Sequence, residues 1–494
     1  MAATDQPEYD IVVIGGGSAG LAIGKYAPRI GARVAVVEAE KLGGDCTWYG
    51  CVPSKALLAS AKAAHFGRRR EEFGLPPLGP CPDLDFARVI DRVHAIQHRI
   101  YEADDSPEVL RARGCDVIEG FGRFTSPTTL LVGDRVITAR AFCIATGSHP
   151  NVPPIEGLDR VDYLTNRSVF EMRTLPRRLV VIGAGPIGLE LGQALARLGA
   201  TVTLLEMAPH ILPREDPELS AVLRRQLEAE GIVIHTEATV TAVDEVDGVK
   251  RVSATLEGES QTFECDAILV AIGQRPNVES MGLEEAGVEY DPRVGIKVDE
   301  TLRTTAAGIY ACGDVLGRFP FTHMAGYEAG VVMRNALFPY RQTADYSAVP
   351  WATFTEPEVA RVGLTETEAR ERYGDKIRVA RHPFDKVDRA VLEQQTVGFV
   401  KIISVGRREK IVGAHIVGPS AGELIHEYVL AMQQGVGPRA LAEMTHVYPT
   451  LSEANRHASL KSLDEYLGSR TVRWSFRASR WTSPRTWRRW LARG

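Results

Sequence analysis

The sequence predicts an α/β protein, and three observations support this fold class. A chain of 494 residues has room for about three domains, each large enough to bury its own core. The segment "YDIVVIGGGSAGLAIGKYA" (9–27) is an apolar strand, a glycine turn and a helix. The same pattern recurs in "RRLVVIGAGPIGLELGQALARLGA" (177–200). A strand, turn and helix repeated in this way predict two β-α-β domains with parallel sheets.

Both glycine turns have the spacing G-x-G-x-x-G, and each is followed about twenty residues later by a strand that ends in glutamate. The glycines are Gly15, Gly17 and Gly20 in the first turn, and Gly183, Gly185 and Gly188 in the second. The glutamates are Glu38 and Glu206. Such glycines let the backbone approach a pyrophosphate at a helix N-terminus, and the acidic residue can accept hydrogen bonds from a ribose. The sequence therefore predicts two dinucleotide sites.

The second site is expected to favour NADH over NADPH. A 2′-phosphate would meet the negative charge of Glu206, and no arginine follows this residue directly. The acidic residue at this position suits a free ribose hydroxyl.

Charge and hydropathy narrow the expected partners and location. A formal net charge of -5 gives no electrostatic reason to expect nucleic acid as a partner. The N-terminus has acidic residues where a signal peptide needs a basic region. No uninterrupted apolar stretch approaches the roughly 20 residues needed to cross a bilayer. We therefore expect a cytoplasmic protein, whose thiols stay mostly reduced.

The segment "GGDCTWYGCVPSKALL" (43–58) places Cys46 and Cys51 close together. A structural disulfide would close too short a loop to remove much entropy from the unfolded chain. Two metal ligands are possible, but the chain has no second pair at zinc-like spacing. A third interpretation is a dithiol that opens and closes during turnover. The remaining cysteines are expected to be small buried apolar residues: Cys81, Cys115, Cys143, Cys265 and Cys312.

Further strands end in turns that are typical of domain crossings or cofactor contacts. Two of them, "CIATGSHP" (143–150) and "ILVAIGQRPN" (268–277), end in glycine turns. A third, "TTAAGIYACGDV" (304–315), includes Asp314. The carboxylate of Asp314 either accepts hydrogen bonds from the hydroxyls of a flavin's ribityl chain or belongs to an ordinary turn.

Together with "IVGAHIVGPSAGELI" (411–425), these segments resemble the flavoprotein disulfide reductases over residues 8–465. This family includes dihydrolipoamide dehydrogenase, glutathione reductase and mercuric reductase. The resemblance implies two Rossmann-like dinucleotide-binding domains, for FAD and NAD(P), plus a C-terminal α+β dimerisation domain. It also implies a homodimer whose subunits share each active site. The expected boundaries are 1–152 and 279–346 for FAD, 153–278 for NAD(P), 347–465 for dimerisation and 466–494 for a tail.

The resemblance also implies roles for individual residues. Cys51 would be the thiol against the flavin and Cys46 the outer thiol that meets the substrate. Lys55 would lie near the reactive flavin nitrogen and pair with Glu190; a solvated lysine with a surface partner is the plainer alternative. Further FAD contacts are implied at Gly44, Gly122, Thr146, Gly147, Ser148, Asp314 and His323. Further NAD contacts are implied at Glu190, Val240 and Gly273.

The C-terminal segment "THVYPTLSEANRHA" (445–458) departs from the family pattern. In members that act on disulfides, a histidine here relays a proton, and a glutamate follows it. Tyr448 stands in the histidine position and Glu453 in the glutamate position. Because an unperturbed tyrosine has a pKa near ~10, we expect slow disulfide reduction. His446 is expected to be structural rather than a replacement.

Mercuric reductases also have a tyrosine at this position. They bring a C-terminal cysteine pair as well, whereas no cysteine follows Cys312 in this sequence.

We therefore expect an FAD enzyme that takes hydride from NAD(P)H and passes electrons to a Cys46–Cys51 disulfide. From there they would reduce a small-molecule acceptor such as a disulfide or Hg(II). One alternative is a flavoprotein that reduces quinones or metal complexes directly from the flavin. A second is a flavin-bound redox sensor.

The tail, residues 466–494, contains eight arginines and four tryptophans. Three interpretations stay open for it: a weak peripheral membrane contact, a disordered or self-packing segment, and a weak nucleic-acid contact.

Overall fold

The computed structural model describes residues 7–77, 84–406, 409–467 and 470–479. The chain divides into two compact units. The first contains residues 1–213 and 227–346, and the second contains residues 214–226 and 347–494.

The first unit contains a five-stranded parallel sheet built around the N-terminal strand. Its strands lie in the order Ile309–Ala311, Phe142–Ile144, Ile11–Ile14, Val34–Glu38 and Cys115–Glu119. Residues 11–14 are all buried, as expected for a parallel strand covered on both faces. The helices Ser18–Tyr26 and Thr322–Leu337 pack against each other.

A second parallel sheet in this unit has four strands. Their order is Val233–His235, Thr201–Leu205, Arg178–Ile182 and Ala267–Val270. The helix Pro186–Leu198 follows its central strand. An antiparallel sheet accompanies it, with strands Thr239–Val246, Val249–Leu256 and Glu259–Cys265.

Shorter elements complete the first unit. Its further helices are Gly44–Trp48, Cys51–Arg68, Phe86–Ile100, Pro107–Ala112 and Leu283–Ala286. Single helical turns are Ala27–Ile30, Arg70–Phe73, Tyr101–Asp105, Leu158–Arg160, Val169–Glu171 and Asp314–Leu316. The remaining strands are Gly122–Ser126, Thr129–Val132, Arg135–Thr138, Ser148–Pro150, Gln274–Pro276, Tyr290–Asp291 and Gly295–Ile296.

The second unit is built on a five-stranded antiparallel sheet. Its order is Pro350–Thr353, Glu358–Gly363, Lys410–Gly418, Phe399–Val405 and Ile377–Pro383. Its helices are Glu366–Tyr373, Asp388–Leu392, Ala421–Gln434, Pro438–Glu443, Glu453–Leu467 and Arg470–Ser479. Single turns are Gly374–Lys376 and Phe384–Lys386. The fully buried Tyr428 and Phe384 belong to its apolar core.

The expected fold class is confirmed, since two parallel β-α-β sheets are followed by an α+β unit. Residues 214–226 lie within the stretch expected to form the NAD(P) domain, and they are part of the second compact unit. The helix Pro217–Ala229 begins in this segment.

The buried cysteines agree with the sequence expectation. The four that the structure describes outside the redox segment are Cys115, Cys143, Cys265 and Cys312, and all are buried. Cys81 lies outside the described residues. Across the part of the chain that the structure describes, no helix is both long and apolar enough to span a membrane.

Candidate functional site

The two cysteines of the redox segment lie on consecutive helices. Cys46 is in the short helix Gly44–Trp48, and Cys51 is the first residue of the 18-residue helix Cys51–Arg68. Gly43 and Gly44 have positive φ angles of 98° and 57°, a region that glycine adopts at low cost. Both cysteines are free thiols in this structure.

The surroundings shift the pKa values of the two thiols in opposite directions. A hydrogen bond from the Cys46 thiol, helped by Thr322 and by the charge of Lys55, lowers the pKa of Cys51 to about 6. The same hydrogen bond, with burial, raises the pKa of Cys46. The Thr322 Oγ1 lies 3.5 Å from the Cys51 Sγ. The pair therefore consists of a Cys51 thiolate and a Cys46 thiol, with the thiolate at a helix N-terminus where the helix dipole also favours it.

Lys55 and Glu190 form an ion pair, as the sequence predicts. The Lys55 Nζ donates to the Glu190 Oε2 over 2.8 Å. The Glu190 side chain is buried, with 6% of its surface exposed. Lys55 lies one helical turn after Cys51, so its positive charge faces both the carboxylate and the thiolate end of the helix.

The steric surroundings of the three glycines in the first dinucleotide motif differ. A Cβ on Gly15 would lie 2.2 Å from the Ala145 carbonyl oxygen, and one on Gly20 would lie 1.9 Å from the Gly15 carbonyl oxygen. A Cβ on Gly17 would meet nothing nearer than the Gly44 Cα at 3.8 Å. Two glycines thus allow close backbone packing, while a side chain at the middle one would meet only an ordinary van der Waals contact.

The second motif repeats this arrangement. A Cβ on Gly183 would lie 2.6 Å from the Ala271 carbonyl oxygen, and one on Gly188 would lie 2.1 Å from the Gly183 carbonyl oxygen. A Cβ on Gly185 would meet nothing within 4 Å. The open side of each middle glycine fits a pyrophosphate at the start of the following helix.

The two glutamates hold equivalent positions. The Gly16 N–H donates to the Glu38 Oε2 over 2.6 Å, and the Glu40 N–H donates to the Oε1 over 2.7 Å. At the second site, the Ala184 N–H donates to the Glu206 Oε2 over 2.7 Å and the Ala208 N–H to the Oε1 over 2.8 Å. Each carboxylate is therefore fixed beside its glycine turn, where a ribose is expected.

Asp314 is a buried carboxyl group beside the crossing segments. The Ser148 hydroxyl donates to its Oδ2 over 3.1 Å, and burial raises the pKa of Asp314. The Thr146 hydroxyl donates to the Asn277 carbonyl oxygen over 2.7 Å. A buried carboxyl group with a second oxygen available for donors fits the hydroxyls of a ribityl chain.

The other predicted cofactor residues are spread around these turns. A Cβ on Gly44 would lie 2.7 Å from the Gly17 Cα, whereas one on Gly122 would face Leu130 and Val37 in the core. Gly147 and Gly273 adopt positive φ angles of 72° and 118°. His323 is in the helix Thr322–Leu337, and Val240 is in the strand Thr239–Val246.

Asp45, Asn166 and Gln274 form a partly buried polar cluster that sequence reasoning missed. The Asn166 Nδ2 lies 3.5 Å from the Asp45 Oδ1, and the Gln274 Nε2 donates to the Asn166 Oδ1 over 3.2 Å. Burial raises the pKa of Asp45 to about 6. An acidic residue beside Cys46 was visible in sequence, but nothing local showed that its surroundings raise its pKa.

Tyr448 has a hydrogen-bond partner from a distant segment. Its hydroxyl donates to the Asp388 Oδ2 over 2.8 Å, and this bond raises the pKa of Tyr448. Glu453, the residue in the glutamate position, adds a smaller through-space effect in the same direction. The Tyr448 side chain is thus a protonated phenol whose hydroxyl group is hydrogen-bonded to the Asp388 carboxylate.

His446 occupies a different environment from Tyr448. Its side chain is 4% exposed. Its Nε2 lies 3.1 Å from the Glu427 Oε1, and its Nδ1 lies 3.1 Å from the Met444 carbonyl oxygen. Both ring nitrogens are thus engaged within the second unit, which agrees with a structural role.

Comparison with known proteins identifies the family. Residues 9–329 match the pyridine nucleotide-disulphide oxidoreductase family, and residues 349–459 match the dimerisation domain of that family. The chain belongs to this family. Pyridine nucleotide-disulphide oxidoreductases are FAD-dependent, so this chain is an FAD- and pyridine-nucleotide-dependent oxidoreductase that carries a dimerisation domain.

Individual family members are similar over nearly the whole chain. A mercuric reductase from Bacillus cereus is 35% identical over 92% of this chain and 71% of its own. A dihydrolipoyl dehydrogenase from Thermus scotoductus is 36% identical over 91% and 96%, respectively. The Cu(II) complex of the HOCl-induced flavoprotein disulfide reductase RclA from Escherichia coli has a TM-score of 0.82. It is 28% identical, over 92% of this chain and 99% of that one.

Proposed function

We propose that this protein is an NADH-dependent, FAD-containing reductase that reduces a soft metal ion, such as Hg(II) held by small thiols, at Cys46 and Cys51. The observation that carries the proposal is that the chain has both a thiolate–thiol centre and, at the position of the family histidine, a tyrosine whose hydroxyl donates to Asp388. The similarity to mercuric reductases supports it.

The residues of the chain divide the work in this proposal. Bound FAD, held by the first glycine turn, Glu38 and Asp314, supplies the redox link between the nicotinamide and the dithiol centre. Lys55, fixed by Glu190, keeps a positive charge beside Cys51. In the balanced reaction, NADH and Hg(II) give NAD⁺, H⁺ and Hg(0). Cys46 and Cys51 bind the soft metal ion as thiolates.

Disulfide reduction is disfavoured because its second half needs an acid. When Cys46 attacks a disulfide, the leaving thiolate must take up a proton. A histidine gives one readily near neutral pH, whereas the hydrogen bond to Asp388 raises the pKa of Tyr448 above that of an ordinary tyrosine. Small disulfides should therefore be poor acceptors.

The test is an acceptor panel of lipoamide, glutathione disulfide, Hg(II) with excess thiol, and quinones. We expect NADH-driven turnover with Hg(II) that is lost in Cys46→Ser and Cys51→Ser. In Tyr448→His, lipoamide turnover should rise by part of the roughly 10²- to 10⁴-fold effect of a positioned acid or base. Rapid lipoamide reduction by the native protein would show that its acceptor is a disulfide. Turnover that survives both cysteine changes would favour direct reduction by the flavin.

The preference for NADH rests on Glu206. Its carboxylate is held by two backbone N–H groups where a ribose is expected, and it would repel a 2′-phosphate. We expect a higher kcat/KM with NADH than with NADPH, and a shift towards NADPH in Glu206→Arg. The exposed Glu259→Arg is the matched charge-reversal control. Equal use of both nucleotides by the native protein would exclude the preference.

A second candidate function is quinone reduction at a membrane surface. The described part of the tail is the helix Arg470–Ser479, on which Arg473, Trp474 and Arg477 are exposed. The other three tryptophans, Trp481, Trp487 and Trp490, lie outside the described residues. Arginines near anionic lipid contribute about 1 kcal/mol each, and tryptophans favour the headgroup level.

Sedimentation with anionic vesicles tests this candidate. At low salt, the full-length protein should sediment with the vesicles, whereas a truncation after residue 465 should not. The truncated enzyme should keep its FAD and its NADH-driven flavin reduction. Identical partitioning of the two proteins would rule the tail out as a membrane contact.

A further inference from the structure

The Tyr448–Asp388 pair joins two segments of the second unit. Asp388 is the first residue of the helix Asp388–Leu392, and Tyr448 follows the helix Pro438–Glu443. The phenol oxygen and the Asp388 Oδ2 are 2.8 Å apart. This separation is typical of an O–H···O hydrogen bond. Both residues are exposed on this unit.

The charges around the phenol have one dominant sign. The carboxylates of Asp388 and Glu453 both raise the pKa of Tyr448. Arg389, the basic residue next to Asp388, pairs with Glu393 one turn further along the helix. The phenol is therefore influenced by two carboxylates, and Arg389, beside Asp388 in the chain, pairs with Glu393.

The direction of the hydrogen bond determines what the phenol offers to an acceptor. The single hydroxyl hydrogen of Tyr448 points to Asp388, so the oxygen presents its lone pairs to any other group. A group in this state attracts a cation or accepts a hydrogen bond, and it gives up its proton poorly. A histidine paired with a glutamate would do the opposite, because a protonated imidazole donates.

We propose that Asp388 is a positioning residue that orients the Tyr448 hydroxyl and makes its oxygen a cation-attracting group. This selects for a metal-ion acceptor over a neutral disulfide. The identity of the acceptor, a metal ion, rests on the proposed function. The orientation of the Tyr448 hydroxyl by Asp388 does not depend on it. The selectivity for a metal ion over a disulfide thus depends on Asp388, which lies outside the segment 445–458 that contains the tyrosine.

The first experiment measures the phenol itself in the holoenzyme. The protein is labelled with tyrosine carrying ¹³C at Cζ, and the Tyr448 signal is assigned by its loss in Tyr448→Phe. In the native protein this signal should titrate above the pH expected for a free tyrosine. In Asp388→Asn it should titrate at lower pH. Asp385→Asn, which removes the same charge three residues earlier, should leave the titration unchanged.

The second experiment is a double-mutant cycle on acceptor kinetics. For Hg(II) with excess thiol, Asp388→Asn should raise KM about three- to tenfold, the size expected for one hydrogen bond. It should have no further effect in Tyr448→Phe, because the side chain it orients has lost its hydroxyl. The KM for lipoamide should not rise in either variant.

The two experiments separate the inference from the proposed function. An unchanged Tyr448 titration in Asp388→Asn would overturn the positioning role. Additive effects of the two changes on KM would overturn it as well. If Tyr448→Phe reduces Hg(II) as well as the native protein does, the phenol oxygen does not act on the metal ion and the inferred selectivity is overturned. A native protein that reduces no Hg(II) would instead contradict the proposed function, even where the titration still responds to Asp388.

Discussion

Two cysteines of identical chemistry acquire opposite protonation because their neighbours differ. Cys51 accepts a hydrogen bond from Cys46, lies 3.5 Å from the Thr322 hydroxyl and begins a long helix. Cys46 is the donor in this pair and is partly buried, and both effects raise its pKa. The Cys51 pKa of about 6 therefore favours its thiolate at neutral pH.

This difference in protonation predicts how the thiolate absorbance of the reduced protein depends on pH. In the reduced protein, the ultraviolet thiolate absorbance lost in Cys51→Ser should appear as pH rises through about 6. Thr322→Val removes a donor that favours the thiolate, so the midpoint should move upward by up to about one unit. Thr301→Val, elsewhere in the same unit, is the control. A native midpoint near the ordinary value of 9.0 would contradict the assignment.

In the second unit, a buried lysine and two carboxylates connect a strand of the antiparallel sheet to two other segments. Lys401, in the strand Phe399–Val405, is 1% exposed. Its Nζ lies 2.7 Å from a carboxylate oxygen of Asp216 and 2.7 Å from one of Glu366. Asp216 immediately precedes the helix Pro217–Ala229. The ion pair thus accounts for the packing of residues 214–226 on the antiparallel sheet.

Removal of the lysine should be costly because two carboxylates would stay behind. Lys401→Met should lower the free energy of unfolding by about 3–5 kcal/mol, the usual cost of breaking a buried pair. Arg439→Met, which breaks an exposed pair with Glu443, should cost at most about 0.5 kcal/mol. Chemical denaturation near pH 7 measures both. Equal, small effects would show that the buried cluster is energetically unimportant.

The pH dependence of this stability has a defined sign. Burial alone would raise the pKa of Asp216 and Glu366, but the hydrogen bonds and charge of Lys401 lower both overall. Their contribution is therefore present above the pKa of an unfolded carboxyl group and is lost as pH falls. In Lys401→Met, the unpaired carboxylates should instead bind protons more readily. Mild acid should then recover part of the lost stability.

At the scale of the whole molecule, the residues of the proposed reaction lie in two different units. Cys46 and Cys51 belong to the first unit, and Tyr448 and Asp388 belong to the second, within the matched dimerisation domain. The family pattern implies that each active site of a homodimer takes its thiols from one subunit and its tyrosine from the other. A C2 dimer would then contain two equivalent shared sites.

Subunit mixing tests this sharing. Cys46→Ser and Tyr448→Phe homodimers are each expected to be weakly active with Hg(II). After dissociation and reassociation, about half of the dimers are mixed, and each mixed dimer has one intact site of two. Activity should therefore recover to about a quarter of the native value. A mixture that stays as inactive as its components would show that the tyrosine acts within its own subunit.

The cofactor motifs were predictable because their information is local. A glycine turn needs only a few consecutive residues, and its strand, helix and terminal glutamate follow within about thirty positions. The redox cysteines and the tyrosine in the histidine position were visible for the same reason. The contact between Asp216 and Lys401 was not, because Lys401 lies far along the chain in the strand Phe399–Val405.

The sequence by itself determined the fold class, the two dinucleotide motifs and the identity of the residues at the redox centre. Only the tertiary structure decided which neighbours shift the pKa values of the two cysteines, that the pKa of Asp45 is raised, and that Tyr448 donates to Asp388, 60 positions away. The physical reason is that protonation and hydrogen-bond direction depend on burial and on neighbouring charges. Those neighbours come together from distant parts of the chain, so no local pattern encodes them.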